Sequence, residues 1–262
     1  MKAPFPVFFA VISSQVAFGI FPSHAADIIG TPGPDVLEGT TEADRINGKG
    51  GADVMMGLPG HDIYVVGDID DEVLEAVGDG TDKVKASISY RLPINVENLI
   101  LVGTATINGT GNGLANKITG NSAKNVLRGL GGDDRLDGGD GNDRLMGGAG
   151  TNVLIGDSGR DYYEFDQPPH SVYKDWIAFV PRDDKIRLIK AAFPELTTGT
   201  LPATAFATGG TPISSAVRII YDQATGTIWY DADGSGPTQS RRFAILILGV
   251  PLTNTHFEIV DR

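Results

Sequence analysis

Aspartate or asparagine recurs at nine-residue intervals in two stretches of the chain, and these side chains carry the oxygens that could do chemistry. The first stretch contains Asp35, Asp44, Asp53 and Asp62. The second contains Asn116, Asn125, Asp134, Asp143, Asn152 and Asp161. Carboxylate and carbonyl oxygens are the ligands that Ca2+ prefers in proteins. The spacing therefore predicts several calcium sites, built by repeating one short unit.

Glycines complete the unit, which reads G-G-x-G-x-D-x-U-x with U a large apolar residue. It is clearest at 129–137 and 138–146. Glycine permits a left-handed backbone, so the loop can turn tightly and direct its carbonyl oxygens at one cation. The expected loop-backbone ligands are Gly33, Gly51, Gly60, Gly132, Gly141, Gly150 and Gly159. Glu42, Leu114 and Ala123 replace the fourth-position glycine, so weaker sites are expected beside them.

One apolar residue occupies the eighth position of every unit. These residues are Leu37, Ile46, Met55, Tyr64, Ile118, Leu127, Leu136, Leu145, Leu154 and Tyr163. A single apolar side chain in nine residues cannot form a core alone, but stacked units can share a thin apolar column. The pattern predicts an all-β fold of short strands joined by acidic loops.

These repeats resemble the RTX, or haemolysin-type, calcium-binding repeats of secreted bacterial proteins. The resemblance implies a parallel β-roll with two units per turn and calcium between loops two units apart. The implied ligand pairs are Asp35–Asp53, Asp44–Asp62, Asn116–Asp134, Asn125–Asp143, Asp134–Asn152 and Asp143–Asp161. Pairs of two carboxylates are expected to bind more tightly than pairs that include asparagine. We expect Asp143–Asp161 to be strongest and Asp35–Asp53 next.

The rest of the chain divides by composition. Lys2, an apolar stretch and small residues before Ala26 predict a cleaved secretory signal peptide over 1–25, with a membrane anchor as the alternative. No later segment is apolar enough to span a membrane. The predicted segments are 1–25 for the signal peptide, 26–65 for the first repeat block, 66–110 for a β insert that continues the roll, 111–165 for the second block and 166–262 for a compact C-terminal β region.

The C-terminal region looks like the region that follows the repeats in serralysin-type metalloproteases, through residues 219–237 and 256–260. That resemblance implies a type I secretion signal. Within it, Asp231 and Asp233 begin a segment that opens like an EF-hand loop, but Arg242 stands where a bidentate glutamate is required. Two interpretations remain open: a polar turn, or a calcium site of another type.

Composition and motifs exclude several functions. A net charge of −12 argues against nucleic-acid binding, and the absence of cysteine excludes thiolate catalysis and cysteine-ligated metal sites. His24, His61, His170 and His256 are never four residues apart, which excludes an H-E-x-x-H zinc protease. The sequence predicts a secreted, non-enzymatic bacterial protein that folds on binding several Ca2+ ions outside the cell. The alternatives are a calcium-dependent adhesin that binds cell-surface polysaccharide, and a stand-alone secretion module.

Overall fold

A computed structural model describes residues 24–170, 174–209 and 212–261. The signal peptide predicted over 1–25 lies outside these residues, apart from its last two positions. The described residues form an all-β structure with a parallel solenoid of about eight turns, followed by a mixed sheet. The predicted fold class is therefore confirmed. Over the described ranges, no helix is long and apolar enough to cross a membrane.

The strands are short because each unit supplies only about three residues between loops. The first block forms β1 (Asp27–Ile29), β2 (Val36–Glu38), β3 (Arg45–Asn47), β4 (Val54–Met56) and β5 (Ile63–Val66). The insert forms β6 (Glu72–Leu74), β7 (Lys83–Ala86), β8 (Tyr90–Arg91), β9 (Asn98–Leu101) and β10 (Gly109–Thr110). The second block forms β11 (Lys117–Thr119), β12 (Val126–Gly131), β13 (Arg135–Asp137), β14 (Arg144–Ala149), β15 (Val153–Ile155) and β16 (Tyr162–Phe165).

The remaining strands lie after the second block. They are β17 (Asp175–Ala178), β18 (Lys185–Ile189), β19 (Gly199–Thr200), β20 (Phe206–Thr208), β21 (Ile219–Asp222), β22 (Thr227–Tyr230), β23 (Arg241–Leu246) and β24 (Phe257–Val260). Two 3-10 turns, Ala203–Ala205 and Asn254–His256, precede β20 and β24.

The solenoid has two faces. Odd-numbered strands from β1 to β17 form one continuous parallel sheet. The opposite face is divided into a small sheet, β2-β4-β6, and a larger sheet that contains β8, β10, β12, β14, β16, β18 and β24. In the blocks one turn is two units long, because Arg45 of β3 pairs with Asp27 of β1, 18 residues earlier. The interruption between β6 and β8 marks where the insert departs from that length.

The roll continues past the composition change near residue 165. Strand β17 pairs in parallel with β15, and β18 pairs in parallel with β16, so both faces gain another strand. Strand β24 then adds in parallel to β18. Strand β23 adds in parallel to β17, and β22 and β21 follow it in antiparallel pairs. One hydrophobic core runs from Ile46 to Ile259. The C-terminal region is thus packed directly onto the end of the roll.

The predicted apolar column forms the interior. Nine of the ten eighth-position side chains are completely buried, which fits the two-residue alternation of a strand. Leu37 is only partly buried, since its strand has a neighbour on one side alone. The core is therefore a single thin layer, and each turn depends on the turns beside it.

Candidate metal centre

The loops of the roll stack along its two edges. Loops that follow strands of the continuous sheet form the first edge, which carries Asp35, Asp53, Asp71, Asn125, Asp143, Asp161 and Asp184. Loops that return to that sheet form the second edge, which carries Asp44, Asp62, Asp82, Asn116, Asp134, Asn152 and Asp175. The six predicted ligand pairs lie in consecutive turns on one edge or the other.

A repeated hydrogen bond joins the members of each pair. The main-chain N–H of the earlier residue donates to the side-chain Oδ1 of the later one, as in Asn125 to Asp143 at 2.7 Å and Asp143 to Asp161 at 2.8 Å. The other four pairs, with distances of 2.7 to 2.9 Å, are Asp35–Asp53, Asp44–Asp62, Asn116–Asp134 and Asp134–Asn152. One oxygen of each later side chain is thereby fixed by the preceding turn.

The same hydrogen bond extends beyond the nonapeptide units to four aspartates that the sequence analysis missed. They are Asp71, Asp82, Asp175 and Asp184. Their side chains accept the main-chain N–H of Asp53, Asp62, Asn152 and Asp161, respectively. Asp71 does lie nine residues after Asp62, but no glycine stands five positions before it. The other three lie 20 or 23 residues from their partners, so a search at a fixed spacing cannot find them.

The second side-chain oxygen divides the units into two classes. In six units the second-position residue has a left-handed backbone: Lys49, Leu58, Leu130, Gly139, Gly148 and Asp157, with φ between 60° and 87°. Every aspartate at the sixth position of these units has a buried Oδ2 without a hydrogen-bond donor among the described residues. These aspartates are Asp53, Asp62, Asp134, Asp143 and Asp161. Such atoms are costly to bury unless a cation or a proton compensates them.

In the other four units the loop itself satisfies the side chain. The second-position N–H turns inward and donates to the sixth-position oxygen: Thr31 to Asp35, Thr40 to Asp44, Asn112 to Asn116 and Asn121 to Asn125. Asp35 and Asp44 therefore lie on the same edges as the other predicted ligands, but their second oxygens already accept a main-chain hydrogen bond. The difference between these units and the previous six lies in the backbone, which the identity of the sixth residue does not reveal.

The fourth-position glycines also divide into two groups. Gly51, Gly132, Gly141, Gly150 and Gly159 have left-handed φ values between 101° and 136°. Gly33 and Gly60 do not, so their loops turn without a left-handed fourth position. At Gly159 the requirement is strict, because a Cβ atom would stand 1.5 Å from the carbonyl oxygen of Gly141 in the preceding turn.

The asparagines have structural roles that the aspartates do not share. The Asn125 side-chain Nδ2 donates to the carbonyl oxygen of Ile107 at 2.6 Å. The Asn116 Nδ2 lies within hydrogen-bond distance of the Val96 and Glu97 carbonyls, and that of Asn152 donates to Asp175 at 2.9 Å. A carboxylate cannot donate these bonds. Asparagine therefore joins the blocks to the insert and the C-terminal region.

Burial raises the pKa of several of the unpartnered aspartates. It raises the pKa of Asp134 and of Asp143 to about 7, and that of Asp62 to about 6. The nearby carboxylate of Asp161 contributes to the rise at Asp143. Without a counter-charge the ionised loops repel each other in a poorly solvated place. Aspartate oxygens beside tightly turned loop carbonyls fit a hard, oxygen-seeking cation such as Ca2+.

Comparison with known families agrees with this geometry. Residues 29–64, 110–145 and 138–166 match the RTX calcium-binding nonapeptide repeat, in four copies. The chain carries RTX calcium-binding nonapeptide repeats. These RTX segments include all ten predicted side-chain ligands and leave out most of the insert and the C-terminal region. No curated protein matches the chain.

The segment for which a polar turn or a further calcium site was left open lies apart from the RTX loops. Asp231 and Asp233 are in the turn between β22 and β23. Oδ1 of Asp231 accepts the main-chain N–H groups of Asp233 at 3.2 Å and Gly234 at 2.9 Å, and Oδ2 of Asp233 accepts that of Thr238 at 3.0 Å. These are the hydrogen bonds of a polar aspartate turn.

Proposed function

We propose that this chain is a secreted, non-enzymatic protein whose RTX roll folds when calcium binds along both edges. The observation that supports the proposal is the set of five buried aspartate Oδ2 atoms with no donor among the described residues. They occur only in units with a left-handed second position. The loop backbone thus leaves one carboxylate oxygen of each available to a cation.

The end of the second block offers the best ligand sets. On the first edge, Asp143 and Asp161 lie in consecutive turns, and both loops have left-handed second and fourth positions. On the second edge, Asp134 and Asn152 share that arrangement. In the first block, Asp53 and Asp62 supply free oxygens, whereas those of Asp35 and Asp44 are occupied by threonine N–H groups. We propose that calcium binds most tightly at the Asp143–Asp161 loops.

Bound calcium would supply the positive charge that the acidic loops lack. The chain's own residues provide a thin core with about one apolar side chain per nonapeptide, which offsets little of the entropy lost on ordering that unit. The ionised aspartates add repulsion between turns. Binding of a cation that requires both loops in place contributes its free energy to folding, since the unfolded chain has no assembled site.

Calcium-coupled folding suits a protein that is exported before it folds. Extracellular calcium modules have dissociation constants of about 10⁻⁴ to 10⁻³ M. A chain with sites of that strength stays unfolded at the much lower calcium concentration of the cytoplasm and folds after export. The signal-peptide pattern of residues 1–25 supports export of this kind, and residues 1–23 of it lie outside the described residues.

A calcium titration of the full-length chain tests this function. Circular dichroism in excess chelator should show little β structure, and addition of Ca2+ should restore it cooperatively. Mg2+ at equal concentration should be much less effective, because it requires a smaller octahedral site and gives up its water reluctantly. A complete β signal in chelator that Ca2+ leaves unchanged would contradict the proposal.

A further inference from the structure

The junction between the first block and the insert brings together three acidic side chains from two loops of the second edge. Asp62 ends the loop between β4 and β5, while Glu75 and Asp82 lie at the two ends of the loop between β6 and β7. Each offers a carboxylate oxygen, and the three oxygens lie within 4.8 Å of one another. We name this group the junction cluster.

Two oxygens of the junction cluster are buried without a partner. Asp62 is only 1% exposed, and its Oδ2 has no hydrogen-bond donor in the described part of the chain. The same holds for Oε2 of Glu75. Three further oxygens of the cluster accept hydrogen bonds: Asp62 Oδ1 from the main-chain N–H of Asp44, Asp82 Oδ1 from that of Asp62, and Glu75 Oε1 from the Tyr64 hydroxyl. Asp62 and Glu75, from consecutive turns, thus each bring to the cluster a carboxylate with one oxygen free of hydrogen bonds.

The strand register explains how a glutamate reaches this place. Met56 of β4 pairs with Leu74 of β6, so Glu75 follows β6 as Gly57 follows β4. Glu75 thus occupies the first position of a loop, where every nonapeptide unit has glycine. Gly57 leaves room for Oδ2 of Asp62, since a Cβ atom there would stand 2.2 Å from it. Glutamate one turn later directs a second carboxylate toward the same space.

The loop from 75 to 82 is longer than a repeat loop, yet it remains docked on the preceding turn. The N–H of Gly60 donates to the carbonyl oxygen of Asp79 at 2.7 Å, and His61 accepts the N–H of Thr81 at 2.9 Å. On the opposite face, β6 and β8 belong to different sheets, so the hydrogen-bonded ladder is interrupted here. A bridge between turns would be most useful at this seam.

We propose that Asp62, Glu75 and Asp82 form an additional calcium site, outside the nonapeptide pattern, that ties the first repeat block to the insert. Three carboxylates in a tight group favour a hard divalent cation and give a higher ligand charge than the paired loops of the repeats. Ligand distances of about 2.3 to 2.6 Å from calcium allow oxygens on opposite sides of the ion to lie about 5 Å apart, which accommodates the spacing of the cluster. The inference rests on the proposed function in one respect, since Asp62 also belongs to the repeats.

Two substitutions of Glu75 test the site. Glu75→Gln removes the charge with little change of shape, and Glu75→Gly restores the glycine found at this position in all ten nonapeptide units. Glu72→Gln, on the exposed side of β6, is the matched control for charge. Calcium stoichiometry by equilibrium dialysis and affinity by calorimetry would be measured on the full chain, with circular dichroism at saturating calcium as the measure of folding.

Wild type and Glu72→Gln should bind the same number of ions. Both Glu75 variants should reach the wild-type β signal at saturating calcium but bind one ion fewer, or bind it about tenfold or more weakly. If both variants match wild type in stoichiometry and affinity, the proposal of a junction calcium site is wrong, while the proposed function stands. If wild type itself binds no calcium, the junction site and the proposed function are both wrong. If neither variant reaches the wild-type β signal at any calcium concentration, Glu75 is a structural residue and the site is also wrong.

Discussion

The main-chain N–H of Asp143 donates a 2.8 Å hydrogen bond to Oδ1 of Asp161, one turn further along the roll. This bond holds the Asp161 carboxylate in place while its Oδ2 stays buried without a donor among the described residues. In the folded roll the backbone therefore fixes one carboxylate oxygen and leaves the other open to a cation. The same arrangement recurs at Asp53, Asp62, Asp134 and Asp143.

Loss of a free carboxylate should weaken calcium binding more than loss of an asparagine. In Asp143→Ala, we expect one ion fewer at saturation and a calcium midpoint for folding raised by about tenfold or more. In Asn125→Ala, we expect the wild-type number of ions, since the Asn125 oxygen already accepts the N–H of Asn121. Equilibrium dialysis and circular dichroism measure the two quantities. An ion lost from the Asn125 variant alone would reverse our ranking of the sites.

Replacing a repeat asparagine by aspartate should lower stability and should not strengthen calcium binding. The Asn125 Nδ2 donates to the carbonyl oxygen of Ile107 at 2.6 Å and to Oδ1 of Asn121 at 3.0 Å. Asn125→Asp turns both contacts into repulsive ones, which should lower the free energy of unfolding by roughly 1 to 3 kcal/mol in urea titrations at saturating calcium. Asn142→Asp is the control, because exposed Asn142 accepts the N–H of Arg160 and a carboxylate also accepts. A lower calcium midpoint in Asn125→Asp would show that asparagine is only a weaker ligand.

Two adjacent glycines should respond differently to alanine. Gly132 has a φ of 101°, and its added Cβ would stand 2.4 Å from the carbonyl oxygen of Leu114. Gly131 has open space at that position and no left-handed requirement. Gly132→Ala should therefore cost at least about 1 to 2 kcal/mol for the backbone conformation, with the steric clash in addition. Gly131→Ala should stay within about 0.5 kcal/mol of wild type. Equal effects in chemical denaturation at saturating calcium would contradict this account of the loop.

The metal-free and calcium-loaded proteins should depend on pH in opposite directions. Burial raises the pKa of Asp134 and Asp143 from 3.8 to about 7. In chelator, protonation of these two buried aspartates stabilises the folded state. This contribution is fully present below pH 3.8 and is lost as the pH rises toward 7, because the folded state then buries charge. The metal-free chain should thus have more β structure at pH 5.5 than at pH 8.

Calcium requires the deprotonated carboxylates, so protons compete with it. Between pH 7.5 and pH 6 the calcium concentration at the midpoint of folding should rise as the pH falls. Below the pKa, each proton that a bound ion displaces should raise this concentration roughly tenfold per pH unit. Circular dichroism titrations at several pH values measure this shift. A midpoint independent of pH across this range would show that the carboxylates do not lose protons on binding calcium.

The repeat itself predicted much of the fold. Ile46, Leu127 and Tyr163 point inward as the eighth-position rule requires, because successive side chains of a strand point to opposite faces. The stacking of Asp143 on Asp161 also followed from the repeat, given two units per turn. Asp82 and Asp175 were not predicted, since their loops differ in length and only the pairing of neighbouring strands brings them into register.

The sequence by itself determined the period, the apolar column and the recurring acidic and amide side chains whose oxygens suit calcium, because each depends on residue types at fixed local spacings. Only the tertiary structure decided which oxygens remain free. Whether the second residue of a unit is left-handed decides whether its N–H caps the aspartate, as at Asp35, or leaves it open, as at Asp134. The register of β6 on β4 likewise places Glu75 near Asp62, and the sequence does not show that register. Contacts between turns are set by the packing of whole loops, and no nine-residue pattern encodes them.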